Sequence, residues 1–138
     1  MSVSDASGDC VGRYPVNVHK VFHAHVYFDA DTLDFATELC LQAGEQFGVQ
    51  VGRVHQKRVG PHSAWSCQLL FKTTDFDQLI PWLDQQRLLA AGEEETEQEG
   101  RKGLSILVHG VTGDHLKDHT DHAYWLGQPL ALDLSMFL

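Results

Sequence analysis

Histidine is the residue whose number and spacing first suggest chemistry in this chain. There are nine, against three Trp and two Met. His23 and His25 lie two apart in a segment that alternates like a strand, so both imidazoles point to one face about 7 Å apart. A lone His-x-His is short enough to be a sheet face that merely tolerates histidine. It gains weight when His62 and His109 reach the same face by independent parity in two other segments. Neutral imidazole is the common nitrogen ligand of iron, zinc and copper. Non-haem iron(II) oxygenases combine histidines with one carboxylate and leave open positions for substrate and oxygen. A nearby histidine can also take and return a proton near neutral pH. Asp114, Asp118 and Asp121 follow His109 and are within reach as a carboxylate ligand, although turn and capping roles suit them equally and a three-histidine site is as open. His115, His119 and His122 have three- and four-residue spacing, which on a helix places them on one side. No Cys joins them and no H-E-x-x-H glutamate accompanies them, so one is expected to function and the rest to be solvated. His19 and His55 are expected to be dispensable.

The elements that must position these groups follow from periodicity. Phe22, Ala24, Val26 and Phe28 alternate with Val21, His23, His25 and Tyr27, a strand with one apolar and one histidine face. Asp29 to Thr32 offers capping side chains, and Leu33, Ala36, Leu39, Cys40, Ala43 and Phe47 form the stripe of an amphipathic helix ending at Gly48. Val49 to Arg58 reads as a second strand, Gly60-Pro61 as a turn, and His62 to Lys72 as a third strand. Thr73-Thr74-Asp75 caps a second helix to about Ala91, with a kink or late start expected at Pro81. Leu104 to His109 is a fourth strand, and Gly110 to Leu138 is turn-rich with one short helical or irregular stretch. The order strand–helix–strand–strand–helix–strand is the ferredoxin-like pattern, an α+β class with helices over one face of an antiparallel sheet. Its first strand is central, between the third and fourth. The uncovered face then collects Val21, His23, His25, Tyr27, His62, Ser66, Gln68, Leu107 and His109, and a second copy is expected to cover it as a dimeric α/β barrel. Residues 1–18 read as a loose arm and 19–138 as one domain with an acidic loop at 92–103.

Composition narrows the function classes. The net charge of −9 repels phosphate backbones and anionic lipid, which argues against nucleic-acid and membrane partners. Glu93 to Glu99 carries much of it, as a solvated loop. Cys10, Cys40 and Cys67 are odd in number with no C-x-x-C, as for free thiols in a reducing compartment. With neither a signal-like start nor about 18 consecutive apolar residues, the cytoplasm is the expected location. No phosphate-cradling glycine loop or Gly-x-Ser-x-Gly turn occurs. Trp65, Trp82 and Trp125 are expected as core anchors, and Tyr27 as the aromatic group that meets a substrate ring.

Taken in order, His23-Ala24-His25-Val26-Tyr27-Phe28, Gly60-Pro61-His62, Pro81-Trp82-Leu83, Leu107-Val108-His109, Thr112-Gly113-Asp114, Asp118-His119-Thr120 and Trp125-Leu126-Gly127 resemble the DOPA 4,5-dioxygenase family over about residues 19–135. The resemblance implies extradiol cleavage of a catechol such as L-DOPA by iron(II) and O2, with zinc a possible occupant after purification. It carries over His23, His25, His62, His109 and His119 as motif histidines, but not His115 or His122. Gly110 stands where the family pattern implies a proline, and the glutamate-rich loop is longer than the pattern implies. The expectation is that His25, His62 and His109 ligate metal, that His23 or His119 is the acid/base, and that Tyr27 lines the substrate pocket. The rival readings are a non-catalytic module that binds small aromatics and a zinc-dependent hydrolase.

Overall fold

Alternation of apolar and polar side chains builds the centre of the molecule. In the computed structural model, which describes residues 12–91 and 103–138, β1 (Val21–Phe28) buries Phe22, Ala24, Val26 and Phe28 in the core and turns its histidines the other way. The chain then turns at Asp29, whose carboxylate accepts from the backbone N–H of Asp31 and Thr32 and from the Thr32 hydroxyl. That turn launches α1 (Leu33–Phe47), which buries Ala36, Leu39, Cys40 and Ala43 and stops at Gly48. Gly48 has φ +72°, a left-handed conformation that glycine adopts without Cβ strain, and its N–H closes on Gly44 O. β2 (Gln50–His55) is shorter than its sequence suggests and bulges between Val51 and Val54.

β3 (Trp65–Lys72) begins three residues after His62, which corrects the expectation that His62 opens this strand. The Gly60-Pro61 turn runs on instead: Gly60 has φ +55° and His62 N–H donates to Val59 O. α2 (Thr73–Leu88) starts without delay, Asp75 accepting from Lys72 N, and runs through Pro81 into a 3-10 turn at Leu89–Ala91. β4 (Ile106–Gly110) follows, then a single turn of helix, α3 (His115–Asp118), N-capped by Asp114, and β5 (Ala123–Leu126). β5 lies inside the stretch read as irregular. A last 3-10 turn occupies Ser135–Phe137.

The strands form one antiparallel five-stranded sheet in the order β2-β3-β1-β4-β5, so β1 lies between β3 and β4. Both long helices pack on one face, where Phe22, Leu69, Phe71, Leu79, Leu83 and Ile106 make a closed apolar core. Trp65 and Trp82 lean on that core as expected. Residues 12–18 form no helix or strand, yet Arg13 O accepts from Trp125 N–H and Asn17 hydrogen-bonds to Thr73. Among the described residues no helix is long and apolar enough to cross a membrane. The acidic loop and Cys10 fall outside the described residues; Cys40 and Cys67 are free and buried.

Candidate metal centre

Register decides which side chains meet on the face opposite the helices. In the β1–β4 ladder His23 pairs with His109, and His25 lies on the diagonal. The ligand atoms of His23, His25 and His109 all lie within 4.8 Å of one another. His62 arrives from its loop and places its ring 4.1 Å from that of His25, while His119 follows α3 and sits 4.4 Å from His109. Five rings are therefore gathered at one place by β1, β4, the loop before β3 and the end of α3.

Hydrogen bonds set the tautomers. His109 Nδ1 lies 2.8 Å from Gly110 O, and a carbonyl only accepts, so Nδ1 carries the proton and Nε2 keeps a lone pair. The same logic applies to His119, whose Nδ1 donates to His115 O at 2.8 Å, leaving Nε2 free to accept. Tyr27 Oη lies 2.7 Å from His62 Nδ1 and has no other partner among the described residues. A buried hydroxyl proton needs an acceptor, so Tyr27 donates to Nδ1 and His62 carries its own proton on Nε2.

The site favours uncharged imidazole. Burial holds His25 well below the ordinary histidine value, reinforced by His62 and His109 beside it. Burial also lowers His109 to about 3, against the opposing pull of its bond to Gly110 O, and lowers His62 to about 4 with help from His119. His23, less enclosed, is lowered by the same cause. Burial pushes the Tyr27 hydroxyl up, so it stays protonated. No carboxylate belongs to the cluster among the described residues. Asp118 is buried, but it is spent on the Thr112 N–H and hydroxyl and on His122 Nδ1. Burial alone would raise Asp118; the bonds from Thr112 and His122 outweigh it and hold the carboxyl low. Asp114 caps α3 through Lys117 N–H.

A metal ion suits this donor set. His25 Nε2 and His109 Nε2 stand 3.0 Å apart, the spacing of two ligands at right angles with bonds of about 2.1 Å. The three mutually close donors are His23, His25 and His109, with His62 beside them. His115, His119 and His122 do not all share a face: His115 and His119 both stack on Phe137 and only His119 also reaches the cluster, while α3 ends at Asp118 and His122 turns to Asp118 and His19. His19 packs against Gly110, where an added Cβ would come within 2.6 Å of its ring. Gly110 N–H also donates to His122 O, a bond a proline would lose, so glycine here goes with His19.

Sequence reasoning missed three neighbours of this site. Trp125 is not a core anchor; it lies on the histidine face with its ring stacked 6.0 Å from Tyr27. The alternation Ala123-Tyr124-Trp125-Leu126, with Tyr124 and Leu126 buried, is the signal that could have shown it. Phe137 stacks on His119 at 4.9 Å, and Arg13 pins its segment to the turn after His119; neither carries a sequence signal.

Fold and site together define an α+β protein whose open sheet face is fitted to hold a metal ion through histidines. The sequence profile of the Dopa 4,5-dioxygenase family matches residues 22–91 and 95–136, and the chain belongs to that family. It is 30% identical over 125 residues to a DOPA 4,5-dioxygenase of Amanita muscaria, covering 84% of this chain and 49% of the relative. It is 29% identical over 131 residues to an uncharacterized 21.2 kDa protein of Botryotinia fuckeliana, covering 86% of this chain and 64% of that protein. The chain thus spans less than two-thirds of either relative. The crystal structure of a candidate dioxygenase from Nostoc punctiforme is also similar, with TM-score 0.71 and 39% identity, covering 85% of this chain and 90% of that one.

Proposed function

We propose that the chain is an extradiol dioxygenase that opens a catechol ring with iron(II) and O2, L-DOPA being one substrate of the right class. The observation that carries this reading is the meeting of buried, neutral histidine nitrogens in a member of a dioxygenase family. His25 and His109 are ligands in this reading, and His23 supplies the third nitrogen. An iron(II) ion held there supplies positions for both catechol oxygens and for O2.

The remaining groups divide the proton work. His119 Nε2, with its lone pair free, accepts the proton of a catechol hydroxyl. His62, held by Tyr27, presents an N–H that hydrogen-bonds to the reacting oxygens, and His119 returns the proton it took as the ring opens. Spacing alone suggests His62 as ligand and His23 as acid/base; the Tyr27 bond favours His23 as ligand and His62 as hydrogen-bond donor. Trp125 and Tyr27 give the substrate ring a flat apolar wall, and Phe137 holds His119 in place.

We further read β1 to β4 with the two long helices as a ferredoxin-like unit extended by β5, within a single domain at 19–138. A second copy covers the histidine face, and the protein is cytoplasmic.

Anaerobic reconstitution with iron(II), followed by a catechol panel under air, tests the reaction. A yellow semialdehyde formed with one O2 consumed per ring is the expected result. Three histidines without a carboxylate also suit zinc. Retained zinc with hydrolysis and no oxygen uptake would replace this reading with the hydrolase one. Catechol binding without turnover would leave a binding module.

A further inference from the structure

His119 is also a wall of a cavity of about 350 Å³ that none of the other cluster histidines lines. That volume lies near the lower end of small-ligand sites, which span about 300–1,000 Å³. Trp125, Leu130, Leu132 and Leu134 make its apolar side, and Arg13 is its one charged side chain. No carboxylate lines it among the described residues, in a chain of net charge −9. A lone cation in such surroundings is a local attractor for anions.

Arg13 is held ready for that task. Nη2 donates to the backbone oxygens of Thr120, Asp121 and Ala123, and the guanidinium lies 4.8 Å over the Tyr124 ring. These partners fix the plane of the group without neutralising its charge, since none is an anion. Among the described residues Nε and Nη1 have no hydrogen-bond partner, so two donors of the fork remain for a ligand. The cavity therefore matches a ligand with a short apolar arm that ends in an anion.

We propose that this cavity is a subsite for a carboxylate-bearing side arm of the substrate, with Arg13 as the counter-ion that selects it. The proposal rests on the dioxygenase reading for where the ring sits, and what it adds is the assignment of Arg13 as the residue that reads the acidic arm.

Calorimetric titration of the protein as purified, with 3-phenylpropionate and with its uncharged amide, tests the subsite apart from any reaction. Neither compound has ring hydroxyls, so neither can be cleaved. Wild type should bind the carboxylate about tenfold more tightly than the amide, the worth of one charge-assisted hydrogen bond. Arg13→Met should reduce that preference to less than about twofold, and Arg13→Lys should retain part of it. Equal affinity for the two compounds in wild type overturns the proposal without recourse to any variant. A preference that survives Arg13→Met also overturns it, because the anion is then read elsewhere, as by a bound metal. If the preference behaves as expected but no catechol is opened, the subsite stands and the dioxygenase reading falls.

Discussion

Two histidine clusters flank the end of β4, and they are built on opposite principles. His19 and His122, with rings 4.7 Å apart, have a buried carboxylate: Asp118 accepts from His122 Nδ1, and His19 Nε2 meets Tyr124 Oη at 3.2 Å. Asp118 also accepts from the Thr112 N–H and hydroxyl, so the carboxylate ties the turn at Thr112 to the strand start at Ala123. His23, His25 and His109 have no carboxylate among the described residues, and His25 and His109 point nitrogens at each other. One cluster is built around an anion. The other gathers neutral nitrogens with none beside them. The difference teaches that histidine count alone says little; what the rings face, an already bonded carboxylate or one another's nitrogens, separates a brace from a candidate metal site.

Replacing a member of the open cluster should have the largest effect. His109→Ala or His25→Ala is expected to lose bound metal, read by elemental analysis, and to bring ring cleavage below detection. His119→Gln should keep the metal but lower kcat by about 10²–10⁴-fold, the usual worth of a positioned acid or base. If His119→Gln loses metal instead, His119 belongs with the ligands and the division of roles is wrong. Tyr27→Phe frees His62 Nδ1 in a buried place, which should cost about 1–3 kcal/mol in urea unfolding and loosen the orientation of the His62 N–H. In the braced cluster, Asp118→Asn should cost a similar amount of stability while metal content stays unchanged. Metal loss in Asp118→Asn would erase the contrast between the clusters.

Acidity should separate the clusters as well. Burial lowers His62 to about 4 and His109 to about 3 in the folded protein, below the unfolded value near 6.5. Each binds more protons unfolded than folded in that window, so stability rises with pH there. The contribution is complete above about pH 6.5. It declines toward pH 4 and below at up to about 1.4 kcal/mol per pH unit for each group. Metal-free protein carrying His109→Asn should show a shallower fall across that range than wild type.

Much of this arrangement was readable in the chain because two-residue periodicity is strict. The split of Phe22, Ala24, Val26 and Phe28 from His23, His25 and Tyr27 placed the histidine face, and the parity of Ile106 and Val108 put His109 on it. The stripe from Leu33 to Phe47 and its stop at Gly48 likewise showed α1. What stayed hidden depends on contacts between distant parts. β5 has only four residues, so its alternation is a weak signal among neighbouring His, Asp and Gly, and Trp125 was placed in the core. His62 reads as a strand residue, but the turn at Gly60 continues past it, where Asp133 N–H holds Pro61 O. Asp118 was open as a ligand because spacing could not show that Thr112 and His122 already occupy its oxygens.

Anomalous diffraction at the iron edge, from crystals loaded with iron(II) under nitrogen, tests the metal centre most directly. The expected map has a single strong peak within bonding distance, about 2.0–2.2 Å, of nitrogens from His23, His25 and His109. A peak beside His122 and Asp118, or none near β1, would contradict it.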